Sequence, residues 1–368
     1  GDVLSGALSL EIARGRIQLP WLADVTFPVD AGLVDLRYHR DRARIEVAPS
    51  TLRWGQSSVT LVGHLNSKRA AGGEGWAFDL RAIDGAIAAE EFGIRRIPLE
   101  TWVATGQAAQ ERRHFELNRF QLKAGGGEIN LAGVVDAAGD SADASFEGRI
   151  GPMPLATLKA IWPRALAPGA RKWVGERVIR GRVEGGSFRW LAGRYLERQE
   201  VSPLVPEQRL SVAIEAADVA MRPLRSMSPI EAPRALIRLE GGAVEVSMPE
   251  ATVVLDSGRR IPLKTGRFTA VDIFSERPLG EVAFRVQSPL QPVLELIDQE
   301  PLSFVRQAGV TTDGMDGKVE GQLKLSLPLV NSVDAADIKV DGKMRITEGR
   351  ARQLVGPYDV QGASITLD

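Results

Sequence analysis

An alternation of apolar and polar residues with a period of two runs through the chain from one end to the other, and it narrows the possible folds more than any other feature. Leu8, Leu10 and Ile12 alternate with Ser9 and Glu11, and Ile45 and Val47 with Arg44 and Glu46. Trp76, Phe78 and Leu80 alternate with Ala77, Asp79 and Arg81, and Ile129 and Leu131 with Glu128 and Asn130. The pattern returns at Leu210, Val212 and Ile214, at Val244, Val246 and Met248, at Val282, Phe284 and Val286, at Leu323, Leu325 and Leu327, and at Ile365 and Leu367. Successive side chains of a strand point to opposite faces, so each of these segments reads as a strand with one apolar and one polar face.

The 38 glycines and 21 prolines fall between such segments rather than inside long ones, which is the punctuation of strands and turns. Glu240-Gly241-Gly242-Ala243 and Asp256-Ser257-Gly258-Arg259 read as hairpin connections. Gly125-Gly126-Gly127 is a turn rather than a phosphate cradle, because a strand follows it. Through Phe115, Leu117, Phe120 and Leu122 the phase slips by one residue, which predicts a β-bulge at Asn118-Arg119. The expectation is a mainly β chain of roughly 18 to 22 antiparallel strands, each about five to seven residues long.

Two regions carry helical spacing instead. In 154–179, Leu155, Leu158 and Ile161 precede Trp162-Pro163, and Pro168 suits the first turn of a second helix that Arg180-Gly181 ends. In 289–308, Leu290, Val293, Leu294 and Ile297 predict another short helical pair, continued by Phe304 and Val305. The implied organisation is a β segment over 1–150, a helical insert over 151–180, a second β segment over 181–288, a second insert over 289–310 and a β segment over 311–368.

Composition removes several function classes. With 46 basic and 47 acidic residues, no bulk charge favours nucleic acid. Zero cysteines and three scattered histidines argue against thiol catalysis and against metal sites, so neither cofactor nor metal is expected. The chain opens on Gly1-Asp2-Val3 and has no run of about 18 apolar residues, which reads as a piece whose targeting segment lies elsewhere.

So much one-sided sheet poses a problem, because an uncovered apolar face attracts anything greasy. Two helical inserts are too small to cover it, and an outer-membrane barrel would need strands of about 9 to 11 residues and aromatic girdles. A two-sheet sandwich with a closed core and a gutter that holds lipid tails both remain physically adequate.

Ile161-Trp162-Pro163 through Leu166-Ala167-Pro168-Gly169-Ala170-Arg171-Lys172-Trp173-Val174, followed by Ile179-Arg180-Gly181-Arg182-Val183, resembles the WP-x-x-L-x-P-x-x-R-x-W motif of YhdP-type proteins of the AsmA-like superfamily of Gram-negative bacteria. Gly321-Gln322-Leu323-Lys324-Leu325-Ser326-Leu327-Pro328-Leu329, with Val340 to Met344, is similar to a second passage of that superfamily. The resemblance implies an elongated, twisted antiparallel sheet curled into a groove. It implies a non-catalytic, bridge-like transporter of phospholipid between inner and outer membrane, periplasmic and anchored by a segment outside this chain. The alternative is a structural periplasmic scaffold or sandwich-type interaction protein.

The candidate acyl-chain lining is Leu8, Leu10, Ile12, Val59, Leu61, Trp76, Phe78, Leu80, Phe115, Leu117, Ile129, Leu131, Leu210, Val212, Ile214, Val244, Val246, Val282, Phe284, Val286, Leu323, Leu325 and Leu327. Trp162 and Trp173 are candidates for a plug at the groove mouth, against the commoner reading that they cap a core. Glu90 and Glu91 are adjacent and diverge on a strand or helix, which disfavours a shared-proton dyad. His39, His64 and His114 are far apart in sequence and no catalytic role is assigned to them; His64, on the polar phase of Val59 to Leu65, reads as a solvated strand residue rather than a base. Glu111-Arg112-Arg113-His114 and Arg95-Arg96 are weak candidates for lipid phosphates at the rim.

Overall fold

A computed structural model of the chain describes residues 5–18, 26–70, 73–109, 113–138, 141–164, 166–192, 210–224, 226–273, 275, 277–300, 302–307, 309, 312, 314–330, 337–355 and 358–367. Glu111, Arg112 and Pro301 lie outside the described residues. Among the described residues the fold is mainly β, 71% strand, with one large antiparallel sheet that does not close into a barrel and four short α-helices.

In chain order the first elements are β1 Ser5–Ile12, β2 Gly15–Gln18, β3 Thr26–Val29, β4 Ala31–His39, β5 Arg44–Trp54, β6 Ser57–Ala70 and β7 Gly73–Ala89. After a 3-10 turn at Glu90–Phe92 come β8 Ile94–Ala109, β9 His114–Ala124, β10 Gly127–Ala138, β11 Ser141–Ile150 and β12 Met153–Pro154. The helices α1 Leu155–Ile161 and α2 Pro168–Arg177 then precede β13 Val178–Ala192 and β14 Leu210–Met221. The remainder is β15 Ile230–Glu240, β16 Ala243–Val254, β17 Arg260–Val271, β18 Leu279–Pro289, helices α3 Leu290–Ile297 and α4 Phe304–Gln307, then β19 Asp316–Pro328, β20 Lys339–Val355 and β21 Tyr358–Leu367.

Many strands are longer than alternation predicts, reaching 17 residues in β7 and β20. Glycine, alanine and serine stretches such as Asp84-Gly85-Ala86 carry no readable polarity, yet they continue the hydrogen-bonded ladder. The second helix is shorter than expected. It ends at Arg177, and Val178-Ile179-Arg180 start β13, because a β-branched pair gains more from the sheet than from one further helical turn.

The chain divides into two compact units, 1–176 with 183–214, and 177–182 with 215–368. In the first, β1 pairs with β4, and from β4 to β11 each strand pairs with the next, after which β11 pairs with β13. The turn joining β9 to β10 is the two-residue hairpin Gly125-Gly126, both at positive φ, as a tight right-twisted hairpin demands. The bulge expected at Asn118-Arg119 is present. Thr105 faces Arg119 while Gly106 faces Leu117, so the extra residue keeps Leu117 and Phe120 on one face. In the second unit β15 to β21 form a similar meander, each strand paired with its successor.

Both units bring a helix pair to one end of the sheet, and the first helix of each pair starts from a Pro-Leu step. Pro154 and Pro289 occupy the N-cap in extended conformation, with no side-chain cap, and Leu155 and Leu290 follow. A proline suits the start of a helix because no partner is needed there for its missing N–H.

Candidate functional site

The registers of the first unit decide which side chains share a face. Directly opposed residues of neighbouring strands lie on the same side of a sheet, so one row can be followed strand by strand. Leu8 opposes Leu36, Leu36 opposes Val47, and the row continues through Gly63, Leu80, Ala104, Phe120, Leu131, Gly148 and Phe188. A parallel row holds Tyr38, Ile45, Leu65, Phe78, Gly106, Leu117, Gly133, Phe146 and Trp190. Ten strands thus present an unbroken apolar stripe without one charged side chain in either row.

The remaining candidates of this unit fall on the same face. Trp76 reaches Phe115 across Ala108, and Ile12 reaches Val59 across Gly32 and Leu52. Leu10 opposes Val34 between them, and Leu61 opposes Ala82. Ile129 opposes Ile150, which opposes Gly186; a Cβ on that glycine would stand 3.1 Å from Cγ1 of Ile214. Along β14, Leu210, Val212 and Ile214 share one side, with Leu210 buried.

The burial of this face is uneven in a way that matters. Leu8 and Leu10 are 59% and 52% exposed, and Trp76, Phe78, Leu80, Phe115, Leu117, Phe120 and Leu131 all keep part of their surface in solvent. The buried cluster near them contains only Val135 and Ala144, with Phe115, Phe146 and Trp190 packed against it. A closed two-sheet core would bury such residues throughout. Side chains also disappear from solvent within the row, at Val47 and Ala104, and toward the α1 end. Ala89, Ala124 and Met153 are fully buried there, and the Thr157 hydroxyl donates to the Gly125 carbonyl at 2.9 Å.

The opposite face is a polar network. The Gln107 amide donates to Glu116, and His114 Nδ1 lies 2.6 Å from Asp136. Side-chain hydrogen bonds from Asn130, Gln121 and Lys123 hold the Glu128 carboxyl down to about 2 from its ordinary 4.5. His39 sits 3.4 Å from Glu46, again on strands facing solvent. Arg96 donates to the Ser58 hydroxyl at 2.9 Å.

In the second unit, Val246 opposes Phe268, then Val282, then Leu325, and Val244 opposes Ala270, then Gly280, then Leu327. Phe284 faces Leu323, and Val286 faces Gly321. Leu290 and Val293 of α3 cover the Val286 end, where Val253, Ile261, Leu263 and Val319 form a dry core. Away from that helix, Val244, Val246, Val282, Phe284, Leu323, Leu325 and Leu327 are half-buried.

Of the two tryptophans of the 161–174 motif, Trp162 stands at the end of α1 and Trp173 within α2. The Trp162 indole N–H donates to the Leu166 carbonyl, and Trp173 is 43% exposed. Arg171 is the member of the motif that is buried. Its guanidinium pairs with Glu91 at 2.5 Å, donates through Nε to the Trp162 carbonyl and lies 4.7 Å over the Phe92 ring. Arg164 reaches the same carboxylate at 2.9 Å. Burial pushes the Glu91 carboxyl up, but its own backbone N–H and the two arginines outweigh that and hold it below the usual range. Glu90 turns elsewhere and accepts the Gln56 N–H, so the two carboxylates share no proton.

Sequence reading missed Tyr38, Leu65, Phe120, Phe146, Phe188 and Trp190 as members of the apolar face. Phe188 and Trp190 alternate with Ser187 and Arg189 and were legible; Phe146 and Phe120 were hidden by neighbouring glycine and by the bulge. No family model, curated protein or solved structure matches the chain.

Proposed function

We propose that the chain is a non-catalytic, lipid-conducting segment of the AsmA-like kind, holding phospholipid acyl chains along an apolar trough in the periplasm between the two membranes of a Gram-negative cell. The observation that carries this reading is the apolar stripe across ten paired strands, most of whose large side chains keep part of their surface in solvent. Right-handed twist of about 20° per strand would curl such a sheet so that the stripe lines a gutter. Each methylene kept from water is worth about 0.8 kcal/mol, so a chain of roughly 16 carbons meets an aqueous barrier above about 10 kcal/mol that a continuous lining removes. Head groups stay in water, no bond is made or broken, and direction comes from an external gradient or partner.

A second reading, a β-scaffold with a closed core, is favoured by the helix-covered core of the second unit. One experiment separates them. The purified chain is extracted with organic solvent and the extract is weighed for phospholipid by mass spectrometry, alongside Phe78→Asp. In the trough reading the parent carries lipid and the variant stays folded but empty. A lipid-free parent, or a variant that simply unfolds as a buried charge in a packed core would, sinks the trough.

A further inference from the structure

Phenylalanine rings on the apolar faces lie down over glycines of neighbouring strands. A Cβ on Gly106 would stand 2.6 Å from Cζ of Phe78, one on Gly133 2.2 Å from Cδ1 of Phe146, one on Gly148 2.4 Å from Cζ of Phe188, and one on Gly280 2.8 Å from Cε2 of Phe268. The first three glycines are the direct cross-strand partners of those rings, and Gly280 is the diagonal neighbour of Phe268. Opposed Cβ atoms normally stand about 4.5–5.5 Å apart with side chains upright, so these rings occupy space that a side chain would otherwise fill. Phe78, reclined over Gly106, also stacks at 5.7 Å and 10° on Phe115 from the strand beyond. The same seating recurs in both units, on faces that remain partly exposed.

Resting on the lipid reading above, we propose that these glycines set the depth of the trough. By letting the rings recline they keep the floor low enough for a linear acyl chain to lie on it, and a Cβ would raise the ring into the path of that chain. Gly148 and Gly280 are then clearance-determining positions rather than turn or packing glycines. Gly280 is the cleaner probe, because the nearest atoms to its Cβ position belong to the side chains of Leu329 and Phe268, whereas the Asn130 carbonyl lies 2.7 Å from that of Gly148.

The test uses the full chain incubated with phosphatidylethanolamine–phosphatidylglycerol vesicles, repurified, and scored by mass spectrometry as lipid per folded molecule. Gly280→Ala and Gly148→Ala should each load roughly tenfold less lipid at subsaturating vesicle concentration, the equivalent of about two methylenes losing the floor. Adding Phe268→Leu to the first variant, or Phe188→Leu to the second, should restore loading. Glycine variants that fold and load like the parent overturn the inference and leave the lipid reading standing, as do double variants that stay empty. A parent without lipid overturns both. If neither glycine variant folds, with or without its leucine partner, the glycines are structural and the inference fails.

Discussion

The Arg171 clasp yields a quantitative test of how the α1–α2 pair is fixed over the end of the first unit. Glu91→Gln removes the carboxylate charge while Arg171 stays enclosed, with 10% of its side chain exposed against 31% for Glu91. Breaking a fully buried pair costs about 3–5 kcal/mol; partial exposure of Glu91 and its second arginine reduce this to about 2 kcal/mol. For a unit of roughly 200 residues that is a fall of about 4–8 °C in the melting transition. Arg171→Met loses the contact over Phe92, worth about 1 kcal/mol, and the hydrogen bond to the Trp162 carbonyl, worth about another. The double variant should cost less than the sum of the singles by about 1–2 kcal/mol, since both remove one interaction. Because the Glu91 carboxyl is held low, its contribution is present above the unfolded value and fades as pH falls through the folded one, so parent and Glu91→Gln should converge in acid. Thermal scans of the four proteins, with amide exchange of 168–177, read the outcome. Strict additivity, or an unmoved transition in Glu91→Gln, would refute the clasp.

Glu128 should titrate near 2 by carboxyl NMR; its stabilising effect is present above the ordinary 4.5 and disappears as pH drops toward 2, and a midpoint near 4.5 would show that the Asn130–Gln121–Lys123 cradle does not form in solution. Gly125→Ala should destabilise more than Gly126→Ala: each costs about 1–2 kcal/mol for a left-handed backbone, but only Gly125 would place its Cβ 2.7 Å from Cγ2 of Ile97 and 2.9 Å from the Thr157 hydroxyl, and equal melting temperatures would contradict this. Gly175→Val should cost about 1–3 kcal/mol in chemical denaturation, since its Cβ would sit 2.0 Å from the Phe92 ring; an unchanged midpoint would mean that α2 does not pack there.

Strand identity was legible wherever a polar residue separated two apolar ones, as in Trp76-Ala77-Phe78-Asp79-Leu80, because the pleat converts period two directly into two faces. The bulge at Asn118 was legible for the same reason, as a break in phase. Strand length was not, since Ala86, Ala88 and Ala89 carry no contrast between the faces, and burial of the last of these follows from a helix some 66 positions later. The flattened rings were illegible as well. Gly133 and Phe146 become neighbours only through the β10–β11 register, and nothing in their sequence spacing announces it. The role of Arg171 stayed hidden because its partners Glu91 and Phe92 belong to a turn about 80 residues upstream, whereas the tryptophans beside it drew attention by size alone.

From β5 to β9 every hydrogen-bonded partner of a strand is its predecessor or successor in the chain. Ladders of that kind assemble as a zipper, since each new hairpin closes a short loop onto an edge already laid down, and the entropy lost per step does not grow with chain length. A polypeptide threaded unfolded through a pore can therefore crystallise strand by strand as it emerges, with no need to wait for its far end. It also means that inserting or deleting a hairpin changes the reach of the ladder without disturbing the pairs on either side.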